Sequence, residues 1–379
     1  MQGLTVFVTD GGAAGLPGPP LPRSFTRRAD LLLRALLADL AALPGVEVVH
    51  GIDPAAAVDT VAAIDTVAGT EIKAMPASAA DGASVTEPGP ARSVADGAAG
   101  YMVLRSAAPS AGAPEGQCNG LRLDAGAETA DAVWPLALES GGMLERLSYD
   151  TVLGGRILLG CPPDVVRAVS SKRHLARILS NVGVAVAATY PPDAVLPPIA
   201  GPWVVKPDDG AGCLHTRLFS DCAGALAWIR ARPVQDYVLQ PFVAGKPGSL
   251  SLVCCDGMVQ VLACNQERVA MRDNRFHVLG SVVNGLGDDD GAFARLARQV
   301  VAAIPGLWGY VGINFVLTAG GAVVLDVNPR LTVAYAGLHA SIGRNPAGMV
   351  LDLLRGPGAL PDPAPPGRRR AVSVDLGLT

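Results

Sequence analysis

The clearest alternation of hydrophobic and polar positions lies late in the chain. Residues 309–317 and 322–330 are apolar runs rich in β-branched side chains, and the four residues between them carry a Gly pair, which predicts a β-hairpin. Side chains alternate faces along a strand, so Asp326 and Asn328 share a face, and closing the hairpin at 318–321 brings Asn314 opposite them within about one residue. Three oxygen-bearing side chains then converge on one side of an otherwise apolar ribbon.

The same reading gives the other elements. An apolar run at 4–9, a Leu/Ala-rich helix from a Ser24 cap to about residue 43 and a strand at 46–49 predict a β-α-β opening. The glycines at 11, 12 and 15 lack the dinucleotide-binding spacing and predict a plain loop. Residues 55–116 are rich in Ala, Gly, Ser, Pro and Asp, with helical pieces near 55–68, a strand at 101–104 and a flexible insertion at 75–98. Order returns with a strand at 132–137, a helix at 143–149 and a short strand at 157–159. A helix over 172–179 capped by Ser170 or Ser171 opens a second unit, followed by a strand at 201–207, a glycine-bearing loop at 208–213, a helix at 222–231 and a strand at 238–243. Residues 249–255 and 258–264 form a hairpin across Asp256-Gly257, with Asn265 to Arg268 as its polar exit. An amphipathic helix at 291–303, the hairpin, a helix at 346–354 and a Pro-rich tail from 356 complete the chain.

Composition narrows the function. At 379 residues the chain exceeds one typical domain of about 150, so two or three units are expected: 1–165, 166–355 and the tail. No apolar run approaches the roughly 20 residues of a membrane helix, and the N-terminus lacks a basic region before its apolar run, so a cytoplasmic protein without membrane contact is expected. Seven cysteines without Cys-x-x-Cys spacing argue against a disulfide framework or a zinc site. A net charge of -4 without a dense Lys/Arg stripe argues against nucleic acid as a partner.

The polar residues suggest chemistry. A carboxylate among apolar neighbours is costly to bury, and a hard cation with oxygen ligands removes that cost, so Asp326, Asn328 and Asn314 are candidate ligands for magnesium, with manganese as an alternative. Arg330 adds a forked donor. Lys206 within an apolar strand, followed by Asp209, Gly210, Gly212 and Cys213, predicts a phosphate site, since glycines let backbone N–H groups turn toward an anion. The plainer alternatives are a hairpin whose Asp, Asn and Arg cap the next loop and an ordinary turn after an edge lysine. Glu139, after its strand, suits a ligand group or a surface acid equally. His174 and His215 receive no catalytic role, and Cys213 has no base spaced to activate it as a nucleophile.

In order and spacing, Lys172 at a helix start, Lys206-Pro207 before the glycine loop, the strand Leu239-Gln240-Pro241-Phe242-Val243 and the 309–330 hairpin resemble the ATP-grasp superfamily. Residues 208–213 and 326–332 are most similar to the tyramine–L-glutamate ligases of methanofuran biosynthesis. The resemblance implies an α/β and α+β protein: two α+β lobes clasping ATP, preceded by a small Rossmann-like α/β domain. It places Lys172, Lys206 and the 208–213 loop on the ATP phosphates, and Gln240, Pro241, Phe242 and Val243 at adenine. Asp326, Asn328 and Asn314 would hold magnesium, with Arg330, Lys206 and Asn328 as catalytic residues. The implied activity is ligation of a small-molecule carboxylate to an amine through an acyl-phosphate, joining L-glutamate to tyramine or a tyrosine-like amine. Another amino-acid or dipeptide ligase and a non-catalytic nucleotide-binding protein remain the alternatives. The chain departs from the family in having Asn314 where an acid is common and Pro247-Gly248-Ser249 where an acid often meets ribose. Oligomeric state is not legible, and a homodimer stays open.

Overall fold

The computed structural model describes residues 3–10, 23–50, 129–232, 236–356, 359–360 and 369–377. The 11–15 loop glycines, the pieces expected at 55–68 and 101–104 and the 75–98 insertion lie outside these residues. Four strands, β1 (Leu4–Asp10), β2 (Val46–His50), β3 (Ala132–Leu136) and β4 (Ile157–Leu158), form a parallel sheet in the order β2-β1-β3-β4. Helix α1 (Arg23–Ala41) begins one residue before the expected cap and buries Leu32, Leu33, Leu36, Leu37 and Leu40, a helical stripe, beside Val6, Val8 and Trp134.

After β3 come α2 (Met143–Leu153), α3 (Pro163–Ser170) and α4 (Lys172–Asn181). Ser171 caps α4 by accepting a hydrogen bond from the His174 N–H at 3.2 Å. A small lobe then forms from β5 (Trp203–Pro207), β6 (Arg217–Phe219), α5 (Cys222–Arg230) and β7 (Tyr237–Pro241). Its core is Trp203, Val205, Ala225, Ile229, Tyr237 and Leu239, which places these strand residues on the face away from Lys206. The larger lobe contains β8 (Lys246–Cys255), β9 (Met258–Arg272), β10 (Arg275–Val283), α6 (Ala292–Ala303), β11 (Gly309–Thr318) and β12 (Gly321–Asn328). The antiparallel order β12-β11-β8-β9-β10-β6-β5-β7 joins both lobes.

Five elements were not anticipated. Helix α3, the short strand β6 and strand β10 have no counterpart in the sequence reading, helix α7 (Tyr335–Ile342) precedes α8 (Pro346–Asp352), and β13 (Val372–Asp375), within the stretch read as a tail, pairs with β10. The expected polar exit at 265–268 lies inside β9, whose backbone stays paired with β10 as far as Arg272. Strand β7 ends at Pro241, because its partner β5 begins at Trp203, opposite that residue. A single apolar core runs from α1 through β8 and β9 to α7 and α8. Asp39 on α1 reinforces it by accepting from Tyr335 Oη at 2.9 Å and pairing with His339 Nδ1 at 2.6 Å, which docks the N-terminal unit against the larger lobe. Among the described residues no helix is long and apolar enough to cross a membrane.

Candidate active site

The hairpin register sets Asn314 directly opposite Asp326, within the one residue that the alternation allowed, and Gly312 opposite Asn328. The register shift after Asn314 leaves Leu325 as the unpaired residue, a β-bulge that keeps the polar set in line while the apolar end continues to the turn. On the other side of β11, Asn314 faces Ser249 and Gly312 faces Ser251. A Cβ on Gly312 would stand 2.4 Å from Thr332 Cγ2, so a side chain at this position would collide with the loop after β12.

Lys172 and Lys206, from α4 and β5, converge on this hairpin. Lys172 Nζ lies 3.5 Å from Asp326 Oδ1, and Lys206 Nζ lies 3.5 Å from Asp326 Oδ2. Both ammonium groups are buried, while a quarter of the Asp326 side chain, 25%, remains open to the cleft. Burial pushes the Lys206 pKa below the ordinary lysine value, the Asp326 carboxylate pulls it back, and the Lys172 charge lowers it again. Lys172 also donates to the carbonyls of Gly210 (2.6 Å) and Asp208 (3.1 Å), so the glycine loop fixes the first lysine. The Asp208 carboxylate accepts from Ser171 Oγ at 2.6 Å and from the Arg173 N–H at 3.0 Å, securing the loop to the start of α4.

Asp209 turns away from this centre: its Oδ2 accepts from the Gly141 N–H at 2.8 Å, joining the loop to the segment before α2. Gly212, Cys213 and His215 all have positive φ, 59°, 64° and 57°. For Cys213 and His215 that conformation is uncommon and marks a constrained loop. Burial raises the Cys213 thiol above its ordinary pKa, in keeping with the reading that it is no nucleophile. Gln240 lies opposite Val204, on the face that carries Lys206, and donates to Thr189 Oγ1 at 2.7 Å. Pro241 ends the strand, and Phe242 and Val243 fall beyond it. Phe242 is partly exposed and stacks on Phe276 at 6.4 Å.

Arg330 is held by a residue that the sequence left ambiguous. Its Nε donates to Glu139 Oε2 at 2.8 Å, with both side chains almost fully buried, and it reaches the Leu331 carbonyl at 3.1 Å and Asn328 Oδ1 at 3.4 Å. Sequence reasoning missed the polar floor beyond it. Ser249 and Ser281 donate to Glu267 Oε1 at 2.6 and 3.1 Å, Asn265 donates to Ser249 and Ser251 at 3.2 and 3.0 Å, and Tyr310 donates to Ser251 at 2.9 Å. Asn265 and Glu267 stand two apart after an apolar run, so strand alternation carried the signal. Arg28 of α1 is also buried at this end, with its guanidinium against Gly212.

A family model described as an ATP-grasp domain matches residues 169–334, the span from the end of α3 to the start of α7 that contains both lysines and the hairpin. The chain therefore carries an ATP-grasp domain, and its fold is that of the ATP-grasp superfamily. A curated relative, tyramine–L-glutamate ligase of Methanocaldococcus jannaschii, is 26% identical over 183 residues, which are 48% of this chain and 50% of that protein. The match thus spans half the length of that relative. Among solved structures, an L-amino acid ligase from Bacillus licheniformis superposes with a TM-score of 0.54 at 15% identity, covering 94% of this chain and 75% of that one. D-alanine–D-alanine ligase from Bacillus anthracis gives 0.54 at 11% identity, covering 93% and 96%. At these identities the likeness is one of fold.

Proposed function

We propose that this protein is an ATP-dependent carboxylate–amine ligase that joins L-glutamate to tyramine or a tyrosine-like amine, in the biosynthesis of a methanofuran- or methylofuran-type cofactor. The observation that carries the ligase reading is the pair of buried lysines from α4 and β5 that flank Asp326 at 3.5 Å each. Two desolvated ammonium groups beside one carboxylate leave an excess of positive charge, which suits a polyphosphate. The glutamate–tyramine assignment rests on the relative of that name and on the sequence resemblance at 208–213 and 326–332.

The donor set fits magnesium. Among the described residues no group of three or more His, Cys, Asp or Glu side chains could hold a metal ion, so a cation here would share one carboxylate and two carboxamides with phosphate oxygens, which suits magnesium. Asn328 Oδ1, the atom that would meet the ion, has one long contact, with Arg330 Nη2 at 3.4 Å. Asp326, Asn328 and Asn314 would hold the ion, which when bound supplies charge stabilisation to the transferring phosphoryl group. Lys172 and Lys206 bind the phosphates, the 208–213 loop covers them, and Gln240 borders adenine. Arg330, aligned by Glu139, faces the charge that builds as the carboxylate attacks the terminal phosphorus and ADP leaves. The amine then attacks the acyl-phosphate carbonyl, and phosphate departs. Positioning and preorganised charge suffice for both steps, and no side-chain nucleophile is required.

Release of ADP by the full chain, with magnesium and a panel of acids and amines, tests this reading. ADP formation that needs both L-glutamate and tyramine, with the amide detected by mass, is the expected result. Turnover with a different pair would retain the ligase and replace its substrates. Nucleotide binding without ADP release for any pair would leave a non-catalytic protein.

A further inference from the structure

Four cationic side chains gather around the site, and three have a carboxylate partner. Lys172 and Lys206 share Asp326, and Arg330 has Glu139. Arg28 pairs with no carboxylate among the described residues, although its side chain is only 8% exposed and its buried Nε has no hydrogen-bond partner. A guanidinium cannot shed its charge as a buried lysine can, so burying it unpaired is costly unless a ligand supplies the anion. The Phe25 ring beneath it, 4.8 Å from Cζ, offers a partial offset through its π face.

Its surroundings narrow the kind of anion. Arg28 interacts electrostatically with Arg330, Cys213 and Glu267, which sets it beside Arg330 and the hydroxyl-lined floor that holds Glu267. A Cβ on Gly212 would lie 2.1 Å from Arg28 Nη1, so the loop backbone lies directly against the guanidinium and helps to seal it from water. On the proposed ligase reading, the carboxylate under activation must lie toward the phosphates, near Lys206 and Arg330. We propose that Arg28, brought into the site by the N-terminal unit, anchors a second carboxylate of the acyl donor, so that the substrate acid is a dicarboxylic one. The competing assignments are a contact with ATP phosphate and a structural pairing with Glu267.

The test compares wild type and Arg28→Met, full chain, in ADP release with L-glutamate and with two acids that each lack one of its carboxylates, 4-aminobutyrate and L-glutamine. Arg28→Met is expected to raise the KM for glutamate at least about tenfold, equivalent to about 1.4 kcal/mol, while leaving the KM for ATP within about twofold. Wild type should prefer glutamate to the acid that lacks the anchored carboxylate, and the variant should lose that preference. Arg28→Lys should restore part of it. A raised KM for ATP with an unchanged KM for glutamate would assign Arg28 to phosphate and overturn the proposal. So would an undiminished preference for glutamate, or a lowered melting temperature with no change in either KM, the outcome of a structural pairing with Glu267. Should wild type release no ADP with any acid, the ligase reading fails by itself. Calorimetric titration of both proteins with L-glutamate then decides: weaker binding by Arg28→Met retains the anchor, and equal or absent binding removes it.

Discussion

Glu139→Gln isolates what holds Arg330 in place. The carboxylate and guanidinium meet at 2.8 Å with side-chain exposures of 6% and 8%, and they join positions 191 residues apart. Two unit charges at that distance attract by about 6 kcal/mol at an effective dielectric of about 20. Glutamine keeps a neutral acceptor of the same length, and the guanidinium keeps its contacts with the Leu331 carbonyl and Asn328, so part of the interaction survives. The expected net loss is about 3 to 5 kcal/mol, the usual cost of stranding one member of a buried pair. That is a large share of the roughly 5 to 15 kcal/mol that stabilises a typical protein. Urea denaturation reads it directly, as a lower midpoint at unchanged slope. The double variant Glu139→Gln/Arg330→Met removes the stranded charge and should be more stable than Glu139→Gln alone. A single variant that loses less than about 1 kcal/mol, or a double variant no better than the single, would refute the reasoning.

Asp326→Asn should lower the rate of ADP release at least about a hundredfold in a folded protein, because charge stabilisation by a bound metal contributes several kcal/mol; normal release would remove Asp326 from the metal site. Asn314→Asp should lower the magnesium concentration for half-maximal rate by adding an anionic oxygen opposite Asp326. An unshifted requirement with a lowered melting temperature of the metal-free protein would make Asn314 part of the scaffold. Burial raises the Glu267 pKa above its ordinary value despite the hydroxyls of Ser249 and Ser281, so ionising it costs stability. Folded-state pKa above unfolded-state pKa means that stability is lost as pH rises from about 4.5 through the folded value, and Glu267→Gln should gain on wild type across that window in melts of the ligand-free protein; a difference independent of pH would contradict this.

What the sequence disclosed divides along local lines. The hairpin was legible because period-two alternation and a Gly pair fix its turn and bring Asn314 within one residue of Asp326, whereas the bulge at Leu325 that sets the two directly opposite was not legible. The residues alone showed the two lysines as positions and only the family resemblance brought them together, since their convergence depends on how α4 packs beside β12 and the loop after β5. Strand β9 was cut short because Asn265 and Glu267 look like a loop until β10 pairs beside them. Helix α7, with buried Tyr335, Leu338 and Ile342 but also buried Ser341, lacks the polar face that marks an amphipathic helix. Glu139 was legible only as an acid at a strand end and Arg28 carried no readable signal, as each acquires its role from contacts with residues far along the chain.

Asp326 has two partners. Each of its oxygens faces an ammonium group, which screens the carboxylate from a lone cation and the lysines from a lone anion. A metal ion arriving without phosphates meets two positive charges, and a nucleotide arriving without metal must separate the lysines from their counter-ion. On the proposed reading, when both arrive together the lysines exchange the carboxylate for phosphate and the carboxylate exchanges the lysines for metal, so neither charge is left exposed. On the proposed reading, metal and nucleotide should therefore tighten each other's binding by equal factors, as linkage requires. The triad of two lysines and one aspartate then acts as a built-in condition that the pair enter as one complex.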